Sequence, residues 1–436
     1  MASWKQTNVN ASRGIRRRFI EHINGFCNGY PKTESWKEGS DCCLWDGVTC
    51  DTFTGHVIGL DLSSSWLLGY IDDDSSLFLL LHLQKLNLAC NDFLGSQISS
   101  RFGKFTKLTH LNLSYSNLFG LVPTEMFLLS HLISLDLSNY GLSMDHHGFN
   151  KLSQNLTEIR YLHLNSVDMS TVSTGSLVNL SSSLISLNLR KTQIQGKFPN
   201  EIFLFPFLQR LILSANDHIT GNLPEFNKCS PLKELDLFYC NFQGSLPSSL
   251  GNLTEIAFMD LSGNGFTGQV PTSSSKLVQL TWLFLAHNNF FGKFPDVLGQ
   301  FPSQISGLPY LGDIKLNNSF LSGRVPTWLF TLPSLGSLDL SHNKLIGPME
   351  QFQHPGPIRK VDLCDNVIHG PIPDSIFQLL DLIELALANN NFSGNVQLKM
   401  LSELKNLTRI DLSYNALLSV TGSCPSLMKS FYPLVA

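Results

Sequence analysis

The chain has 436 residues, 43% of them hydrophobic and only 15% charged, with a formal net charge of −4. Its 30 basic residues balance 34 acidic ones, which leaves no basic footprint for nucleic acid. No run approaches the roughly 18 apolar residues of a membrane-spanning helix; the longest, Leu77 to Leu83, is far shorter. The first 24 residues are expected to be disordered or atypical. Arg13 and Arg16 to Arg18 form the one sharp basic cluster there and read as a solvated tail. The opening "MASWKQTNVNASRGIRRRF" lacks the apolar stretch of a secretory signal.

Residues 25–55 hold Cys27, Cys42, Cys43 and Cys50 and are expected to form a disulfide-linked cap. Neighbouring Cys42 and Cys43 cannot easily bond to each other, so each needs its own partner. Spacing points to Cys43 with Cys50 and Cys42 with Cys27. Zinc is the rival reading, but the paired C-x-x-C knuckles it favours are missing. Disulfides imply an oxidising compartment. Cys90, Cys229, Cys240, Cys364 and Cys424 are expected to be unpaired small residues.

From residue 56 to 418 the chain repeats L-x-x-L-x-L-x-x-N every 24 to 25 residues or so, about fifteen times. The residues opening L-x-L fall at 60, 86, 111, 135, 162, 187, 211, 235, 259, 283, 314, 338, 361, 385 and 410. One interval is long, with its extra residues in "GQFPSQISGLPY". Two inward apolar side chains separated by an outward one specify a short strand. Stacked copies specify an α/β leucine-rich-repeat solenoid, a horseshoe or superhelix with a parallel sheet on its concave face. Asn91, Asn117, Asn216, Asn264, Asn288, Asn343, Asn366, Asn390 and Asn415 are expected to turn under the strands and satisfy backbone groups there. Cys240 takes that slot in its repeat, while Tyr140, Val167, Thr192 and Ser319 depart from it. "DLSGNGFTGQVP" (260–271) contains G-x-G-x-x-G, the spacing of a phosphate loop. Yet Gly268 and Pro271 are one copy of a G-x-x-P bend that recurs in phase eight times, so Gly263 and Gly265 read as incidental. His146 and His147 lie in an expected loop, where adjacent residues seldom share a metal. No catalytic signature appears, and neither metal nor cofactor is expected.

Outward strand positions are the candidate binding surface. Phe258 and Trp282 neighbour each other in one column and Phe284 stands in the next, with Phe238 and Tyr239 one repeat earlier. Asp260 joins them as a candidate contact, beside Glu234 and Asp236, with Arg190 and Lys191 two repeats upstream. Clustered exposed aromatics mark interfaces; lateral support of adjacent strands is the competing explanation. N-x-S/T occurs at Asn10, Asn112, Asn155, Asn179, Asn252, Asn317, Asn391 and Asn406. Asn155, Asn179, Asn252 and Asn406 precede strands and are the expected N-glycosylation acceptors. Asn112 and Asn317 are expected at outward strand positions. Residues 419–436 read as an irregular tail without a cap.

Trp36 to Cys50, W-x-x-x-x-D-C-C-x-W-x-G-V-x-C, followed by repeats with G-x-I-P-like endings, resembles plant leucine-rich-repeat receptor-like proteins of the disease-resistance type, cell-surface receptors without a kinase. The resemblance spans about Cys27 to Tyr414. It implies an ectodomain at the extracellular side of the plasma membrane, acting in defence or development. Such an ectodomain would bind a peptide, protein or carbohydrate ligand and signal through a receptor-kinase co-receptor. The missing signal peptide, C-terminal cap and membrane helix lead to the expectation that the chain is truncated at both ends. Two alternatives are a secreted inhibitor of a pathogen cell-wall-degrading enzyme, of polygalacturonase-inhibitor type, and a non-functional fragment. Fifteen repeats favour the receptor over the inhibitor.

Overall fold

The computed structural model describes residues 27–228, 230–294 and 308–422. The Arg-rich start, Asn10, Cys229, Cys424 and residues 295–307 of the long interval lie outside them. The chain divides into two compact units, Met1–Thr220 and Gly221–Ala436.

In the first unit, Val48–Cys50 runs antiparallel to Val57–Asp61, with Val48 opposite Leu60. Parallel strands follow in register: Leu60 lies beside Leu86, then Leu111, Leu135, Leu162, Leu187 and Leu211. In the second unit the same ladder runs through Leu235, Met259, Leu283, Ile314, Leu338, Val361, Leu385 and Ile410. Every expected phase from Leu86 onward is the middle residue of a three-residue strand. The return segments are mostly single 3-10 turns such as Thr124–Leu128 and Ser248–Asn252. His146 and His147 do not lie in a loop; they open the α-helix His146–Asn155, capped by the Asp145 side chain on the Gly148 N–H.

Beneath the strands the Asn side chains act as expected. Asn288 is buried, accepts the Phe266 N–H at 3.0 Å and donates to the carbonyls of Leu261, Leu285 and Ala286. Asn117 is the exception. It is exposed and donates to Asp92, and Ser116 fills the slot with a hydroxyl bond to Leu88 O. The slot is counted from Leu113, and Asn117 stands one residue beyond it. Tyr140 also leaves the slot and points outward, with Asn139 buried in its place.

Two residues past this Asn or its replacement, Phe242, Phe266 and Phe290 stack through the interior of the second unit. Their ring centroids lie 6.3 and 6.4 Å apart. The backbone around them pairs again: Asn241–Ser245, Gly265–Gly268, Asn289–Lys293, Phe320–Gly323, Lys344–Gly347, Val367–Pro371, Asn391–Gln397 and Leu417–Thr421 carry a second parallel ladder. Gly268 ends its strand at φ +81°, a left-handed conformation that favours glycine. Gly263, by contrast, is not incidental. It is left-handed too, and a Cβ there would stand 2.9 Å from the Tyr239 ring.

The N-terminal cap is built on two stacked indoles, Trp36 and Trp45, with centroids 5.1 Å apart. Trp36 is buried and donates to Asp46 O. Cys43 bonds to Cys50. The expected Cys27–Cys42 bond is corrected: Cys27 bonds to Cys90, and Cys42 is a free thiol beside the Cys43–Cys50 pair. The reason is the path of the chain. Gly29 passes so close to Ser64 that a Cβ would lie 2.3 Å from its carbonyl oxygen. Ser64 and Cys90 occupy the same left-handed turn position in successive repeats, so the segment leaving Gly29 delivers Cys27 to the second of these turns. Cys90 is therefore not unpaired, whereas Cys364 is a free thiol.

Candidate ligand-binding site

The outward residues of each strand form columns because the ladder is in register. Phe258 stands beside Trp282, and Asp260 beside Phe284. Phe258 is the centre of the cluster: its ring lies 6.0 Å from Trp282 and 6.0 Å from Phe284, edge-on to the latter. Such contacts contribute about 0.5–1.5 kcal/mol beyond burial. Trp282 remains 42% exposed. Phe238 and Tyr239 form a separate pair, 5.0 Å apart, in the turn after Glu234–Asp236. Tyr239 lies over the bare Cα of Gly263 and is 60% exposed. Among the described residues no ring contact joins this pair to Phe258, Trp282 and Phe284.

Two features here were missed at the level of sequence. Lys315, one strand beyond Phe284, lays its ammonium over that ring at 4.9 Å. It also opens a depression of about 560 Å³ lined by Asp313, Lys315, Asp339, Lys360, Asp362 and Glu384, among others. Glu384 there receives Arg409 at 2.6 Å and Lys360 at 4.0 Å. The signal was available: once the phases are known, residues one strand apart fall in one column.

Asp260 has a local duty besides any ligand. It accepts the Ser262 N–H at 2.9 Å, one example of a turn that recurs at Asp236, Asp339, Asp362 and Asp411. Burial raises the Asp260 carboxyl above the ordinary range, and neighbouring Asp236 raises it further. Burial likewise raises Asp362, beside Asp339 and Glu384. A carboxyl whose folded-state value is raised binds its proton more tightly in the folded chain. Stability therefore falls as pH rises through the acid range to that raised value, and the loss persists at neutral pH. Asn87, Asn112 and Asn188 make the same turn bond without charge. Asp260→Asn should thus flatten the acid-range fall and raise Tm at neutral pH by about 1–2 °C. Melts of both chains across the acid range check this, and a variant that melts lower at neutral pH contradicts it.

Of the expected glycan acceptors, Asn179 and Asn406 are exposed, whereas Asn155 ends the helix half-buried. Asn252 is half-buried and donates to Phe226 O. Asn112 is an outward strand residue as expected, but Asn317 lies two residues past its strand.

The cap, the repeat ladder and the Asn turns define a leucine-rich-repeat protein. Residues 20–51 match the leucine rich repeat N-terminal domain, and residues 231–253 and 279–301 match the Leucine Rich Repeat. The chain is 40% identical over 238 residues to Receptor-like protein 6 of Arabidopsis thaliana, covering 53% of this chain and 24% of that protein. It is 38% identical over 230 residues to Receptor-like protein Cf-9 of Solanum pimpinellifolium, covering 52% and 26%. The chain thus spans about a quarter of the length of these curated relatives. It is also similar in structure to the leucine-rich-repeat ectodomain of the Arabidopsis receptor kinase HAESA, solved with an N-terminally extended IDA peptide hormone ligand. That match has 25% identity and a TM-score of 0.58, and covers 92% of this chain and 81% of that one. The fold is that of a leucine-rich-repeat solenoid, and the curated relatives that the chain resembles are plant receptor-like proteins.

Proposed function

We propose that this chain is the extracellular ligand-recognition region of a plant receptor-like protein, working at the outer side of the plasma membrane in defence or development. It holds its ligand on the sheet face of the second unit and signals through a partner receptor kinase. The observation that carries this reading is the Phe258, Trp282 and Phe284 cluster: a half-open indole against the Phe258 ring, which also meets Phe284, with Lys315 and a charged depression beside it. Aromatic anchors surrounded by polar groups are the usual make-up of an interaction hot spot. A peptide is the best-supported ligand among peptide, protein and carbohydrate, because the HAESA ectodomain holds a peptide hormone. Glycans at Asn179 and Asn406, and at Asn155 and Asn252 where their amides are reached, fit a chain outside the cell. Among the described residues no helix is long and apolar enough to cross a membrane.

The reading is tested with peptides selected from a random displayed library on the purified chain. Phe258→Ala with Trp282→Ala should weaken the selected peptides at least tenfold, equivalent to about 1.4 kcal/mol or more. Selected peptides that bind the double variant as tightly as the parent would remove the cluster from the proposed function.

A further inference from the structure

We propose that Cys42, Cys43 and Cys50 of the N-terminal cap form a thiol–disulfide exchange site, at which the bond held by Cys50 moves between Cys43 and Cys42. The inference rests on the cap alone and is independent of the aromatic cluster.

Its first support is the placement of three sulfurs. Cys43 is bonded to Cys50 and Cys42 is a free thiol, and the three sulfur atoms lie within 4.8 Å of one another. An isolated exposed thiol has to wait for a disulfide from solution. Here the fold itself delivers one, so the two partners meet without diffusion. All three residues are half-buried, neither sealed from water nor fully open to large reagents. Water therefore reaches the site to take the thiol proton.

The second support is the backbone that holds the sulfurs. Cys42–Leu44 is a single 3-10 turn, capped by the Asp41 carboxylate, which accepts the Cys43 N–H at 2.9 Å. Trp45, the residue after the turn, is stacked on Trp36 and donates to Ser40 Oγ at 2.7 Å. Cys50 ends the strand Val48–Cys50, which is paired with Val57–Asp61. A turn fixed at both ends thus presents two successive cysteines to one strand cysteine.

The chemistry selects which sulfur is attacked. The Cys42 thiolate is the nucleophile. Attack on Cys43 would join adjacent residues, which bond to each other only with difficulty. Attack on Cys50 forms the Cys42–Cys50 bond and breaks the Cys43–Cys50 bond. The electron pair of the broken bond goes to Cys43, whose thiolate then takes up a proton. One thiol and one disulfide stand on each side of the reaction, so neither oxidant nor reductant is consumed. The bridged loop changes only from 43–50 to 42–50, a single residue longer. Chain entropy therefore barely separates the two forms.

The test uses the whole chain, purified from an oxidising medium without added thiol. Samples are held at about pH 8 or about pH 6, blocked with excess N-ethylmaleimide near pH 6, and digested without reduction. After the higher pH, mass spectrometry should place the blocked thiol on Cys43 in at least about a tenth of the chains, together with a Cys42–Cys50 link. The approach to that mixture should be at least tenfold slower at the lower pH, because the thiolate is the reactive form. Cys43→Ser should form the Cys42–Cys50 bond and leave neither cysteine open to maleimide. If that variant fails to fold, the labelling of the parent chain decides alone. Label confined to Cys42 in the parent, however long it is held at the higher pH, overturns the exchange. Label on both Cys42 and Cys50 in a folded Cys43→Ser chain overturns it as well.

Discussion

Phe266→Ala is expected to destabilise the second unit by about 3–5 kcal/mol, the range for emptying a fully buried aromatic site. The Phe266 side chain has no exposure and lies between the rings of Phe242 and Phe290, tilted 15° and 7° from them. The substitution removes contacts on both sides at once. Each repeat contacts chiefly its neighbours, so the gap cannot be filled from farther away. The column itself supplies the control. Leu321 and Leu345 occupy this position in later repeats, so Phe266→Leu should cost less than half as much. Urea unfolding of the three chains checks the order, and a loss below about 1 kcal/mol for the Ala variant would rule out a packing role.

Asn288→Ala should cost about 3 kcal/mol, and Asn288→Asp at least as much. Asn288 accepts one N–H and offers its amide to three carbonyls. Alanine leaves these buried groups without partners, at about 1–3 kcal/mol each before water or relaxation compensates. An ionised aspartate keeps the acceptor but has no donor, and it turns negative oxygen toward the carbonyls. A role in volume alone would make Asp nearly harmless, since its shape matches Asn. Hydrogen exchange at the Phe266 amide reports the acceptor bond alone, so its protection should drop more in Asn288→Ala than in Asn288→Asp; urea unfolding tests the donor, and an Asn288→Asp chain as stable as the parent contradicts that role.

Much of this protein was legible in its sequence because the signal was local and repeated. A strand with Leu86 in its middle needs only inward residues two apart, and each further copy fixes the phase of the last. The same arithmetic placed Phe258 beside Trp282 before any coordinates, since register follows from phase. It failed at Asn117, where a count off by one residue picked the wrong side chain and Ser116 filled the slot. It also missed the second ladder, since Asn289–Lys293 and its neighbours pair through backbone groups on a segment whose side chains carry little strand signal.

Strand phases and the outward columns were therefore determined by sequence alone, because each depends on neighbours within about one repeat. The tertiary structure decided which distant groups meet. Cys27 reaches Cys90, 63 residues away, only because the chain runs tightly past Ser64. Tyr239 lies flat only because Gly263 has no side chain beneath it, and Asn165 reaches the Tyr115 hydroxyl across a repeat that presents a small serine, Ser138. Such contacts depend on the path and bulk of segments far apart in the chain, and a local pattern carries no record of either.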